Sequence, residues 1–219
     1  MCLAKCDSDD GRAAMAELCD AYYEPVLAWL RCELRQADAA RDMAHAFFAN
    51  LLRGGGFDSA DRERGRFRAY LLGSLKHFLL NQRATARARK RGGDQEHVSL
   101  EDETLLVADS RQLTPDAEFD RQWALTVLGH ALQALKAECE EDGRGSFFEK
   151  AKPWLTGEGE YGDQSLLAAE SGMTVPAFKM AIQRLKQRFR QCVKAEISST
   201  LENQAMVEAE MKSLFHALT

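Results

Sequence analysis

Apolar residues recur at helical spacing along nearly the whole chain. In "AAMAELCDAYYEPVLAWLRCELR" the residues Met15, Leu18, Tyr22, Val26, Trp29 and Leu30 follow one another at three- and four-residue steps for most of the run, and "DAARDMAHAFFANLLR" repeats the pattern with Met43, Phe47, Leu51 and Leu52. No segment alternates with the period of two that a half-buried strand shows. After the turn signal "RGGGFD" a third helix is expected from about Phe67 to Arg89, and "RGGD" at 91 to 94 closes the first block. On this helix Tyr70, Leu71, Leu75, Phe78 and Leu79 are candidates for the core, with Phe78 assigned to it and Tyr70 left open.

From 94 to 120 the character reverses, with nine Asp or Glu and one Arg around short apolar runs such as "LLVA". That composition reads as a linker with little core of its own. A helix then restarts with Thr114 as N-cap and Pro115 at its first position, its stripe running Phe119, Trp123, Val127, Leu128, Ala131, Leu135. Further on, "DQSLLAAESGMTVPAFKMAIQRLKQRFRQCV" predicts a short helix from about Asp163, Gly172 in the left-handed conformation, and Thr174 capping a longer helix with Pro176 in its first turn. This is a helix-turn-helix, with Ala168 small where the two helices approach and Phe178, Ile182, Leu185 and Phe189 facing the core. The expected fold is all-α: a flexible N-terminus over 1–12, a helical domain over 13–93, an acidic linker over 94–113, a second helical domain over 114–197 and an amphipathic tail over 198–219. In the tail, Val207, Met211, Leu214 or Phe215, and Leu218 share a face.

Charge sharpens this picture. Residues 62 to 91 hold ten Lys or Arg and one acidic residue, a net +9 in a chain of net charge −5, which leaves −14 for the rest. Such asymmetry points to a polyanionic partner. Phe67, Tyr70, His77 and Phe78 lie among Arg66, Arg68, Lys76, Arg83 and Arg87, the combination expected where cations follow a phosphate backbone and rings receive unstacked bases. The helix-turn-helix adds a second basic surface, since residues 176 to 194 carry six basic residues and no acidic one. Lys179, Gln183, Lys186 and Arg190 are expected outside, with Arg184 and Arg188 at the flank.

Other classes find little support. The 219 residues, 45% apolar, suffice for ordinary cores without disulfide or metal staples. The six cysteines, at 2, 6, 19, 32, 139 and 192, form no C-x-x-C pair, which suggests free thiols in a reducing cytoplasm. No signal peptide or membrane-spanning run stands out. P-loop, G-x-S-x-G, H-E-x-x-H and E-x-x-H motifs are absent, and the five histidines at 45, 77, 97, 130 and 216 make no metal-ligand cluster. Neither a cofactor nor catalysis is expected.

Segment order resembles that of bacterial RNA polymerase sigma factors of the extracytoplasmic-function group. "YYEPVLAWLRCELRQADAARDMAHAFFANLL" is similar to the region 2 helices of that family, "RGRFRAYLLGSLKHFLLNQRATARARKRGG" to its promoter-melting and minus-ten part, and "TPDAEFDRQWALTVLGHAL" with "SLLAAESGMTVPAFKMAIQRLKQRFRQ" to region 4. The resemblance covers about residues 13 to 195. It implies a transcription initiation factor that binds core RNA polymerase and directs it to promoters. Asp42, His45, Phe48 and Leu52 would dock on the clamp helices of the largest polymerase subunit. Arg66, Arg68, Tyr70, Lys76, His77, Asn81, Arg83, Arg87, Lys90 and Arg91 would engage the minus-ten element. Thr174, Val175, Pro176, Lys179, Met180, Gln183, Arg184 and Arg188 would read the minus-thirty-five element, with Gln183 and Arg184 the best candidates for base contacts. The family more usually has glutamine, tryptophan and asparagine where this chain has His45, Tyr70 and His77. Family resemblance also implies that the acidic linker runs through the RNA exit channel of the polymerase, and that the tail could pack on region 4, bind an anti-sigma protein or grip the polymerase. The competing reading is a stand-alone helix-turn-helix regulator whose first block serves dimerisation or sensing.

Overall fold

A computed structural model of the chain describes residues 9–53, 67–92, 113–157, 164–201 and 204–219, with side chains described from Cys19 in the first helix and as far as Ala88 in the third. Among these residues all regular structure is helical. The helices are α1 (Asp9–Leu34), α2 (Ala37–Arg53), α3 (Phe67–Gly92), α4 (Pro115–Glu141), α5 (Gly145–Thr156), α6 (Gln164–Glu170), α7 (Val175–Ser199) and α8 (Val207–Ala217), with a single 3-10 turn at Gln204–Met206. No helix among the described residues is long and apolar enough to cross a membrane. The expected linker at 94–113 lies outside the described residues except for Leu113.

Two compact units divide the chain, and the division falls inside α4, between Trp123 and Ala124. The sequence pattern suggests a second domain starting at 114, yet the first nine residues of α4 pack with the first unit. The reason is visible in that unit's core. Tyr22, Val26, Leu27, Trp29 and Leu30 of α1 are buried together with Ala40, Ala44, Phe47, Phe48 and Leu51 of α2, Leu71, Leu75, Phe78 and Leu79 of α3, and Phe119 and Trp123 of α4. Phe47 meets Phe78 at 5.6 Å between ring centroids and Tyr22 meets Phe67 at 5.3 Å, both edge to face, the arrangement that ring quadrupoles favour. Between α1 and α2 the chain reverses through Arg35 in the left-handed region at φ 56°, its N–H donating to the Arg31 carbonyl at 3.1 Å.

The adjacent pair Phe47 and Phe48 corrects a simple expectation from helix geometry, that neighbours on a helix point apart so that one of them is exposed. Both are buried, at 1% and 7% exposure. Phe47 goes down onto α3, while Phe48 turns sideways and stacks on Tyr23 of α1 at 6.0 Å. α2 therefore buries a face wide enough for both rings.

In the second unit, Val127, Ala131, Leu135 and Cys139 of α4 are buried along with Phe148 and Ala151 of α5, Ala168 of α6, six residues of α7, and Met211 and Leu214 of α8. In the tail helix Leu214 is the inward residue and Phe215 the exposed one. α5 is not among the helices that periodicity predicts. It contains Pro153, its capping position Arg144 makes no side-chain cap, and it ends at Gly157 in the left-handed region, whose N–H donates to the Pro153 carbonyl. The four cysteines whose side chains are described, Cys19, Cys32, Cys139 and Cys192, are free thiols.

Phe48→Ala should act on the fold. Truncating a buried ring of this kind costs about 3–5 kcal/mol, so the variant should unfold at clearly lower denaturant than wild type. A midpoint unchanged from wild type would return Phe48 to the surface.

Candidate nucleic-acid interface

α3 is a helix of two halves. Its first half carries the apolar seam Leu71, Leu75, Phe78 and Leu79, spaced to lie on one face. From Leu80 to Ala88 every residue is exposed, so this stretch presents its whole circumference. Ala84, Ala86 and Ala88 supply the helix propensity that packing does not. Arg83 and Arg87 are on this exposed half, and His77 and Asn81, one turn apart just before and within it, are joined by a hydrogen bond of 3.2 Å. Tyr70 is half-buried against Phe67, at 6.2 Å and a tilt of 44°.

Several basic residues expected at a minus-ten surface are already engaged within the first unit. Arg68 is only 8% exposed, ion-paired to Asp120, with its guanidinium carbon 4.2 Å from the centre of the Trp123 ring. It joins α3 to the start of α4, and this corrects its assignment as an open nucleic-acid contact. Lys76 donates to Asp116 at 2.6 Å and Arg83 to Glu33 at 3.2 Å, but both keep exposed side chains. Asp116 also accepts from the Trp29 indole at 3.0 Å. Burial disfavours the charged carboxylate of Asp116, but the hydrogen bonds from Lys76 and Trp29 and the Lys76 charge outweigh this and hold it below its ordinary value. Arg66 lies outside the described residues, as do the side chains of Lys90 and Arg91.

On α2, the candidates for polymerase docking separate. Asp42 and Leu52 are exposed, Leu52 at 43%. His45 is exposed as well, stacked on Tyr23 at 5.8 Å and hydrogen-bonded to its hydroxyl at 3.1 Å. Phe48, buried, belongs to the core instead.

In the second unit α6 and α7 meet through a turn whose chemistry is local. Met173 N–H donates to the Ala168 carbonyl at 2.8 Å and Gly172 N–H to the Ala169 carbonyl at 3.0 Å, with Gly172 at φ 65°, the paired bonds of a Schellman termination. Thr174, extended at φ −74° and ψ 153°, then caps α7 by accepting from Ala177 N–H at 3.4 Å. Inward, Phe178 is fully buried, with the rings of Phe147 and Trp154 edge-on to it at 6.0 and 5.9 Å. Outward, Pro176, Lys179, Met180, Gln183 and Arg184 are exposed, and among the described residues Lys179, Gln183 and Arg184 have no hydrogen-bond or ion-pair partner. Val175 is half-buried. Arg188 departs from this pattern: its guanidinium grips Glu138 of α4 through two bonds of 2.7 Å and reaches Gln191 at 2.8 Å. The Arg188 hydrogen bond holds the Glu138 carboxyl below its usual range, so Arg188 braces α7 against α4.

Asp116, Asp120, Trp123 and Glu138 are the participants that sequence reasoning misses. Each is an ordinary helix residue by pattern, and only the folded chain brings it to its cation.

Two outcomes follow. A carboxyl with a depressed folded pKa stabilises above its unfolded value and loses that contribution as the pH falls through the folded value. Asp116→Asn should therefore lower stability at neutral pH, with the gap to wild type closing below about pH 4 in acid-unfolding curves; a gap independent of pH would mean the carboxylate charge is not what matters. At Gly172 no neighbour would clash with an added Cβ, so Gly172→Ala should cost only the left-handed strain of about 1–2 kcal/mol, measurable by denaturant unfolding. No protein-family model matches the chain, and no curated protein or solved structure is significantly similar to it.

Proposed function

We propose that this protein is a promoter-specificity subunit of bacterial RNA polymerase, of the extracytoplasmic-function sigma type, binding core enzyme and directing it to promoters through two DNA contacts. The observation that carries the reading is the pairing of two exposed basic helix faces on separate compact units: α3 from Leu80 to Ala88, and the outward face of the capped α7. A single reading head needs only one of these. Two, one of them preceded by the exposed His77, suit a protein that holds duplex at one element and single strand at another. α2 offers Asp42 and Leu52, accessible beside a rigid aromatic core, as the polymerase-facing pair.

Affinity capture separates this reading from that of a stand-alone regulator. The full chain should retain core RNA polymerase in the absence of DNA and support run-off transcription from a defined set of start sites. Charge reversal at Asp42 together with Leu52→Ala should weaken that association roughly ten-fold with an unchanged circular dichroism spectrum. Capture of no polymerase by the wild-type chain would sink the proposal.

The basic half of α3 gives a second test. Neutralising Arg83 and Arg87 should lower promoter affinity and make the salt dependence shallower, by roughly 0.9 in slope for each phosphate that is no longer neutralised. His77→Ala should leave closed-complex formation nearly intact and reduce permanganate reactivity of unpaired thymines, and a pre-melted template should rescue it. Rescue of both classes of variant, or of neither, would show that strand opening is assigned to the wrong residues.

A further inference from the structure

α7 has a fixed rotational setting, because Phe178, Ile182 and Leu185 are buried on one side of it. Successive residues turn by about 100° around a helix axis, so Met180 stands about 160° from both Phe178 and Ile182. It is the residue aimed most directly away from the core within the first two turns, and it is 56% exposed. Gln183 and Arg184 lie to either side of it and Lys179 further round, all exposed. An isolated exposed apolar side chain needs no explanation by itself; the placement of this one, at the centre of a face whose other long side chains are polar or cationic, does.

Resting on the DNA-binding reading above, we infer that Met180 reads thymine, its thioether packing against a thymine 5-methyl group in the major groove. The charge of the surroundings selects the occupant. Lys179 and Arg184 lie around Met180 with no acidic partner among the described residues, whereas Arg188 and Lys194 further along are paired to Glu138 and Glu208, so a surface that meets this face must be anionic around its edge and apolar at its centre. A duplex major groove has that form: phosphates run along both rims, and on its floor the thymine methyl is the distinctive apolar group that the base pairs present. An apolar protein groove would instead have to bury Arg184 and Lys179 unpaired. Methionine is suited to such a contact, being unbranched, polarizable and adjustable over three torsions. Met180 also falls early in α7, where a recognition helix meets base edges, and the Schellman turn with the Thr174 cap fixes how the helix starts. Gln183 and Arg184 then flank the methyl contact, reaching neighbouring base edges or the rims.

The test removes the methyl group alone. Full-length protein, alone and with core RNA polymerase, selects duplexes from a randomised library, and the selected sequence is resynthesised with deoxyuridine replacing each thymine in turn. Wild type should bind about four-fold more weakly at one position, the value of one methyl contact, and be indifferent at the others. Met180→Ala, an exposed truncation that leaves the core intact, should bind the thymine and deoxyuridine duplexes alike at that position. Arg184→Ala should keep the thymine preference while lowering overall affinity. Wild type that does not distinguish thymine from deoxyuridine anywhere, or a Met180→Ala variant that still does, overturns the inference while leaving DNA binding in place. Failure to enrich any duplex overturns both the inference and the DNA-binding reading on which it rests.

Discussion

Burial of Phe178 sets the direction of every other side chain on α7. The ring is fully enclosed, with the edges of Phe147 and Trp154 directed at it from α5. A helix is stiff about its own axis, so fixing one large residue and its partners at Ile182 and Leu185 fixes the opposite face too. The glycine turn at 172 and the Thr174 cap decide where the helix begins, and Phe178 decides how it is rotated. α5 is the less obvious contributor. It carries none of the outward basic residues, yet two of its rings pack on Phe178. The brace from Arg188 to Glu138 acts later along the same helix and in the same sense, tying it to α4.

α3 works by the opposite arrangement. As far as Leu79 it is held by packing, and from Leu80 it is held by little beyond its own hydrogen bonds and alanine content, with Arg83 reaching back to Glu33. A helix that buries no face gives up the largest source of helical stability. What it gains is access from all sides, which a partner that tracks along a helix can use and a packed face cannot offer.

The parts of this structure that are legible in the sequence are those whose cause is local. Thr114, Gly172 and Thr174 can be assigned from their neighbours alone because capping and left-handed turns are settled within a few residues, and most of the stripes of α2, α3 and α7 follow from periodicity, with Leu52 exposed and Phe189 only half-buried. The misassignments share a different origin. Arg68 looks like a surface cation in the sequence because its partner Asp120 is 52 residues away in the chain, and the tie of Arg188, which does stay exposed, to Glu138 is hidden in the same way at a separation of 50. Phe48 looks exposed because one helix cannot show how wide a face its neighbours cover. α5 escapes notice because Pro153 near its end and an uncapped start hide a helix that packing against Phe178 stabilises. The division inside α4 is equally invisible: its stripe is continuous, and only the interaction of Asp116, Asp120 and Trp123 with α1 and α3 assigns its first turns to the other unit.

Those same acidic residues change the meaning of the basic stretch at 62 to 91. Its net +9 suggests a uniformly cationic surface, but in the folded unit the cations fall into separate groups. Arg68 is committed to Asp120 and Trp123 and adds rigidity. Lys76 and Arg83 face solvent while bonded to Asp116 and Glu33, so part of each charge is already balanced although each keeps further N–H donors. Arg87 has no such partner among the described residues. Of the four cations in this stretch whose side chains are described, three are paired with acids of α1 and α4, so a count of basic residues overstates the open positive charge among them. A first turn of α4 that holds Lys76 is then more than a structural tie, because Asp116 also balances positive charge on the first half of α3.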